Sequence, residues 1–179
     1  MANEKSVLIS VNKPHTDNIF SGVKGLEWRK KPLPEGLYYV YETKNKGGCG
    51  MVIGEMRIAG FLAVDTSGPL EVCLVNSGCV HPVTLKKYAN NGTIYANFIQ
   101  NAKRYDEPKP LNEFCIKDKS PCDNRVRVYQ NPNFNPTGGL IFGGSFCRKS
   151  YDWCKQCKTK PLTRPPQSWC YVEELNDGK

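Results

Sequence analysis

The chain has 179 residues, nine of them cysteine, with 39% hydrophobic content and a formal charge of +8. That length is enough to bury a core, so disorder is not the default reading and one domain, with or without an insertion, is expected. No apolar stretch is long enough to span a bilayer and the start lacks the apolar segment of a secretory signal, which predicts a cytoplasmic protein without a membrane partner.

Residues 6–11 alternate, with Val7, Ile9 and Val11 on one side and Ser10 on the other, predicting a half-buried strand. Pro14 suits a first helical turn, Asn12 a nearby cap and Gly22 a stop. A helix of about two turns follows, with His15 and Ile19 on one face. Residues 26–30 read as a strand, 32–36 as a turn and 37–42 as a β-rich run. A hairpin-like break at 45–48 leads into a strand over 50–63, where Gly54 marks a bulge. Residues 81–88 read as a second short helix closed by Asn90, Asn91 and Gly92, followed by a strand over 93–100 and a helical turn at 111–114. From Cys115 the composition shifts to Pro, Gly, Asn, Lys and Cys, and β-like composition returns only at 168–172. This order predicts an α+β domain built on a small, mostly antiparallel sheet or barrel flanked by short helices. A doubly wound nucleotide fold is not suggested, since no glycine-rich phosphate loop is present.

One junction concentrates charge. Glu27 and Arg29, two apart on an extended segment, point to one face, and Lys24 reaches the same space from the preceding turn. Such a group suits a polar-ligand pocket and equally an ordinary ion-pair cluster. Trp28 faces the other way, toward the core. Arg29-Lys30-Lys31, Lys86-Lys87 and Lys103-Arg104 offer a basic surface for a nucleic-acid backbone, or simply solvated turns. Tyr39, Tyr41 and Trp169 are stacking candidates for a base, though a core or barrel-rim role is the favoured reading of each. His15 and His81 read as capping or surface residues rather than ligands.

An odd count of cysteines argues against a closed disulfide framework. Cys154-x-x-Cys157 is half of a zinc site, because two thiolates so spaced grip one ion from a tight turn. Cys122 and Cys147 complete the expected structural Zn²⁺ set, with Cys115 as substitute; free thiols are the alternative. Cys49, Cys73 and Cys79, set among apolar neighbours, read as small core residues.

The string Gly22-x-Lys24-x-x-Glu27-x-Arg29, behind a strand and a short helix with Pro14 at its start, resembles the signature of the ASCH family in the PUA-like superfamily. Residues 37–43, residues 50–58 with Gly54-Glu55, Pro82-Val83-Thr84-Leu85 and Pro166-Gln167-Ser168-Trp169 extend the likeness over 5–114 and 164–175. The resemblance implies a PUA-like domain made of 1–114 and 164–179, interrupted by a cysteine-rich insertion at 115–163. It also implies a small β-barrel whose cleft, lined by Lys24, Glu27, Arg29 and Tyr41, binds RNA or a modified nucleotide without an organic cofactor. Some relatives are amidohydrolases acting on N4-acetylcytidine, and ribonuclease activity is attributed to others. Lys24 matches the hydrolases' lysine and Arg29 the arginine of the motif, whereas their catalytic threonine falls at Glu27. An amide hydrolase would thereby lose its hydroxyl nucleophile. If the chain is an enzyme, Lys24 and Glu27 carry the chemistry, with Asp106 and Glu107 as candidates for the later acidic partner. A third reading is a protein-interaction module whose contact surface is a zinc-stapled insertion.

Overall fold

The computed structural model describes residues 6–117, 125–127, 145–147, 159–173 and 175. The chain divides into two compact units, 1–115 with 161–179, and 116–160. In chain order the elements are β1 (Ser6–Val11), α1 (His15–Phe20), β2 (Leu26–Arg29), β3 (Gly36–Glu42), a 3-10 turn (Asn45–Gly47), β4 (Val52–Asp65), α2 (Val72–Gly78), α3 (Pro82–Ala89), β5 (Thr93–Lys109), a second 3-10 turn (Leu111–Glu113), β6 (Cys115–Lys117), β7 (Arg125–Arg127), β8 (Ser145–Cys147), β9 (Thr159–Pro161) and β10 (Trp169–Val172).

The larger unit is a mixed α+β structure on one six-stranded sheet, in the order β10-β1-β3-β4-β5-β2. Every neighbouring pair is antiparallel except β1 with β3. That parallel pairing needs a long crossover, and the segment carrying α1 and β2 supplies it. The ladder does not close into a barrel: among the described strands β10 and β2 remain its two edges.

β1 is more buried than its alternation predicts. Val7 and Ile9 pair in register with Tyr38 and Val40 and join Met56, Ile58, Ile19 and Leu33 in one core. Leu8, on the opposite face, is fully buried too. Next to it in register, Tyr39 packs edge-on against Phe114 with ring centroids 5.0 Å apart. Each such aliphatic or aromatic burial contributes about 1.5–3 kcal/mol, so this doubly covered strand anchors the unit. A second cluster, Leu26, Trp28, Leu85, Ile94 and Ala96, fastens β2 and β5 to α3.

The antiparallel β4–β5 pair is curved by three register shifts, the first beside Gly54. A Cβ at Gly54 would sit 2.4 Å from the Lys103 carbonyl oxygen and 2.6 Å from the Phe20 ring, so glycine is required for α1 to pack there. The turn after α1 contains Gly22 at φ +77°, as its predicted stop requires. Asn12 does not cap that helix: Pro14 takes the N-cap position and Asn12 Oδ1 accepts instead from Thr43 Oγ1. The second predicted helix is α3, with His81 as its cap, the imidazole accepting from Val83 N–H at 3.3 Å.

In the smaller unit, β7 pairs antiparallel with β8, Val126 opposite Phe146. β6 pairs with β9.

Candidate functional site

The short β2 strand sets the site. Asn97, fully buried on β5, donates from Nδ2 to the Glu27 carbonyl at 2.8 Å and accepts from Leu33 N–H at 2.8 Å. These bonds hold β2 and its exit in place, so the Glu27 and Arg29 side chains project together. Glu27 Oε1 lies 3.0 Å from Arg29 Nη2 and Oε2 lies 3.5 Å from Lys24 Nζ. Both carboxylate oxygens are thus engaged, at a group whose side chain is only 10% exposed. The three residues expected to converge do so.

Lys24 is the most deeply placed of them, at 2% exposure. Its backbone N–H donates to Asn18 and its ammonium to the Gly78 carbonyl at 2.5 Å, while Gly25 N–H donates to Ser77. The α1–β2 link is therefore stitched to the end of α2, a helix that apolar periodicity did not reveal because its seven residues VCLVNSG are mostly exposed. Gly78 is where the two meet: a Cβ there would fall 1.9 Å from Trp28 Nε1. Trp28 packs in the core as expected, with Nε1 buried and unpartnered among the described residues.

Arg29 works in two directions. Beyond Glu27, Nη2 donates to the Ser10 carbonyl at 2.9 Å and Nη1 to Ser168 Oγ at 3.1 Å. The guanidinium thereby bridges from the β2 edge of the sheet to β1 and the approach to β10, closing with one side chain the seam that backbone bonds leave open. Its Nε is buried without a hydrogen-bond partner among the described residues.

These groups line a cavity of about 1010 Å³. Tyr41 forms part of the wall with His15, Asn12, Thr43, Lys44 and Asn45, and Thr84, Tyr88 and Gln167 belong to the same lining. Burial first, then the neighbouring Cys49, holds the Tyr41 phenol above its ordinary value, so it enters the site as a neutral hydroxyl. One wall is braced by Glu42, buried behind it, whose carboxylate accepts from Thr16 Oγ1 at 2.7 Å and from Cys49 N–H at 2.9 Å. Burial pushes the Glu42 carboxyl up, but these hydrogen bonds outweigh it and leave the group below its ordinary value. Strand β3, helix α1 and the loop bearing Cys49 are thus tied together at a single carboxylate.

Other expectations fare differently. His15 is not a surface cap: its ring lines the cavity, with Nδ1 buried and unpartnered among the described residues. Burial and then the charge of Lys24 lower its pKa, with Glu27 opposing. Asp106 and Glu107 lie exposed on β5 and are absent from the lining, because β5 runs on well past Tyr95–Phe98, where it pairs with β2. Tyr39 and Trp169 are also outside it, packed instead against Phe114 and Tyr171. Of the basic residues, Lys30 sits 5.1 Å from the centre of the Tyr88 ring, whereas Arg104 is engaged with Asp17 at 3.2 Å. Cys49 and Cys73 are exposed and Cys79 half-buried, not core residues, because they fall at a loop, an exposed helix face and a left-handed helix end. Among the described residues no group of three His, Cys, Asp or Glu is placed to hold a metal. Cys122, Cys154 and Cys157 lie outside the described residues, Cys147 closes β8 and Cys115 opens β6. No helix among the described residues is long and apolar enough to cross a membrane.

No protein-family profile matches the chain, and no curated protein does. Solved structures do match. An ASCH protein from Zymomonas mobilis is 16% identical with a TM-score of 0.56, over 95% of this chain and 89% of that one. A serine-to-alanine mutant of that protein aligns at 16% identity and a TM-score of 0.57, over 97% of this chain and 92% of its own. With its six-stranded mixed sheet and short flanking helices, this chain has the ASCH-like fold.

Proposed function

We propose that the cleft around Lys24, Glu27 and Arg29 binds single-stranded RNA or a modified nucleotide. The observation that carries this reading is a largely buried triad of mixed charge on the wall of a large cavity. Two cations against one carboxylate leave a net positive site, and Lys44 adds to it in the lining. Such a field attracts a phosphate, while Tyr41 and Tyr88 supply aromatic surface for a base. The ASCH-like fold accords with a nucleic-acid-related ligand.

Holding is favoured over hydrolysis by the same geometry. A general base needs an oxygen aimed at a water or substrate proton, and both Glu27 oxygens are turned toward cations instead. Lys24, bonded to Gly78 and Glu27, is likewise occupied as a base. Incubation with N4-acylated cytidines and labelled RNA, with mass-spectrometric detection of both complex and product, separates the readings: a complex without product is expected. Product formation abolished by Lys24→Ala would establish the hydrolase instead. For residues 115–163 the zinc reading through Cys122, Cys147, Cys154 and Cys157 stands as a second proposal, tested by metal stoichiometry of the purified protein.

A further inference from the structure

We propose that His15 is a ligand-contacting residue of this cleft, offering its Nε2–H to an uncharged acceptor oxygen such as a nucleobase carbonyl; this deepens the binding reading above and rests on it. His15 opens α1 directly after Pro14, and its ring forms part of the cavity wall. Nδ1 is turned away from solvent and has no partner among the described residues. Orphaned buried N–H groups are rarer in folded proteins than under-satisfied acceptors. The neutral tautomer with its proton on Nε2 is therefore favoured. Since Nδ1 is sealed off, Nε2 is the nitrogen left to meet a ligand.

The surroundings keep the ring in that state. Protonation would place an unpaired N–H on the buried Nδ1 and add a charge beside Lys24 from the link to β2, Arg29 from β2 and Lys46 from the first 3-10 turn, with Glu27 alone among these acting the other way. The remaining carboxylates near α1 are committed elsewhere. Glu42 of β3 accepts from Thr16 and Cys49, and Asp17 of α1 pairs with Lys13 and Arg104. A neutral donor complements the cations: Arg29 and Lys44 favour anionic oxygens, while an uncharged imidazole N–H suits a carbonyl. Position 15 would thus read the base while the cations hold the phosphates.

The test uses oligouridylate, whose base carries carbonyl oxygens, and an abasic strand of the same length, with dissociation constants measured by fluorescence anisotropy at neutral pH. His15→Leu is expected to lose about tenfold in affinity for oligouridylate and little for the abasic strand. His15→Gln, which keeps a neutral N–H at a similar reach, is expected to retain most of the affinity. Independently of any variant, nitrogen-15 spectra of the wild-type imidazole should show the Nε2-protonated tautomer. Equal loss for both strands, no loss, or an Nδ1-protonated ring overturns the assignment. If wild-type protein binds neither strand, the reading of the cleft itself falls, and the assignment with it.

Discussion

The Lys24 ammonium donates to the Gly78 carbonyl oxygen at 2.5 Å while standing 3.5 Å from Glu27. The lysine of the signature is therefore a structural tie as well as a cleft residue. Lys24→Met is expected to leave Glu27 with one cation and to destabilise the protein by about 3–5 kcal/mol, the cost of breaking a buried pair. Urea denaturation measures this, and adding Glu27→Leu should recover part of the loss.

Gly78 offers a sharper steric test. Its Cα lies so close to Trp28 that an added methyl would overlap the indole nitrogen. Gly78→Ala should cost about 1–3 kcal/mol through overpacking, read as a lowered melting temperature with an altered tryptophan signal. Gly25→Ala, at a position with open space around its Cβ, is the control and should change stability far less.

Glu42 makes stability depend on acid. Its folded-state pKa is depressed below the ordinary value of 4.5, so its contribution is present above that pH and lost as pH falls through the folded value. Glu42→Gln should lower stability at neutral pH by about 1.5–3 kcal/mol, because hydrogen bonds to a charged acceptor weaken. The variant's stability should also fall less on acidification than the wild type's, as urea midpoints at neutral and acid pH will show.

Arg29 spans the open seam of the sheet to reach Ser10 and Ser168. Lysine keeps the charge but not the fork, so Arg29→Lys should cost about 1–3 kcal/mol and speed amide exchange along β1 and β10. Ser168→Ala, which removes one arm of the bridge, should cost about 0.5–1.5 kcal/mol.

Much of this was legible in the residues. Alternation in β1, the β-rich composition of β3, the glycine after α1 and the Asn90 stop of α3 are local signals, and each element lies where they put it. The convergence of Lys24, Glu27 and Arg29 was legible from a two-residue spacing beside a turn. Long-range effects were not. Leu8 faces away from its alternating neighbours yet is buried, on the side where Phe114 packs against its register partner Tyr39. Helix α2 is mostly exposed and is fixed by Leu74 packing against the Trp28 cluster, by backbone bonds and by Lys24. His15 looked like a surface residue because nothing in its own helix announces the cavity; only the return of β2 and the Lys44 turn builds a wall around it. Its four-residue separation from the fully buried Ile19 was the available hint.

Backbone and arginine side-chain nitrogen-15 spectra, recorded while nucleosides, nucleotides and short single-stranded RNA are titrated in, test the cleft assignment most directly. Saturable shifts centred on His15, Lys24, Tyr41 and Lys44, together with movement of the Arg29 side-chain resonances, are the expected result. Absence of binding across the panel, or shifts confined to Lys86, Lys87, Lys103 and Arg104 with the Arg29 side chain unmoved, would contradict it.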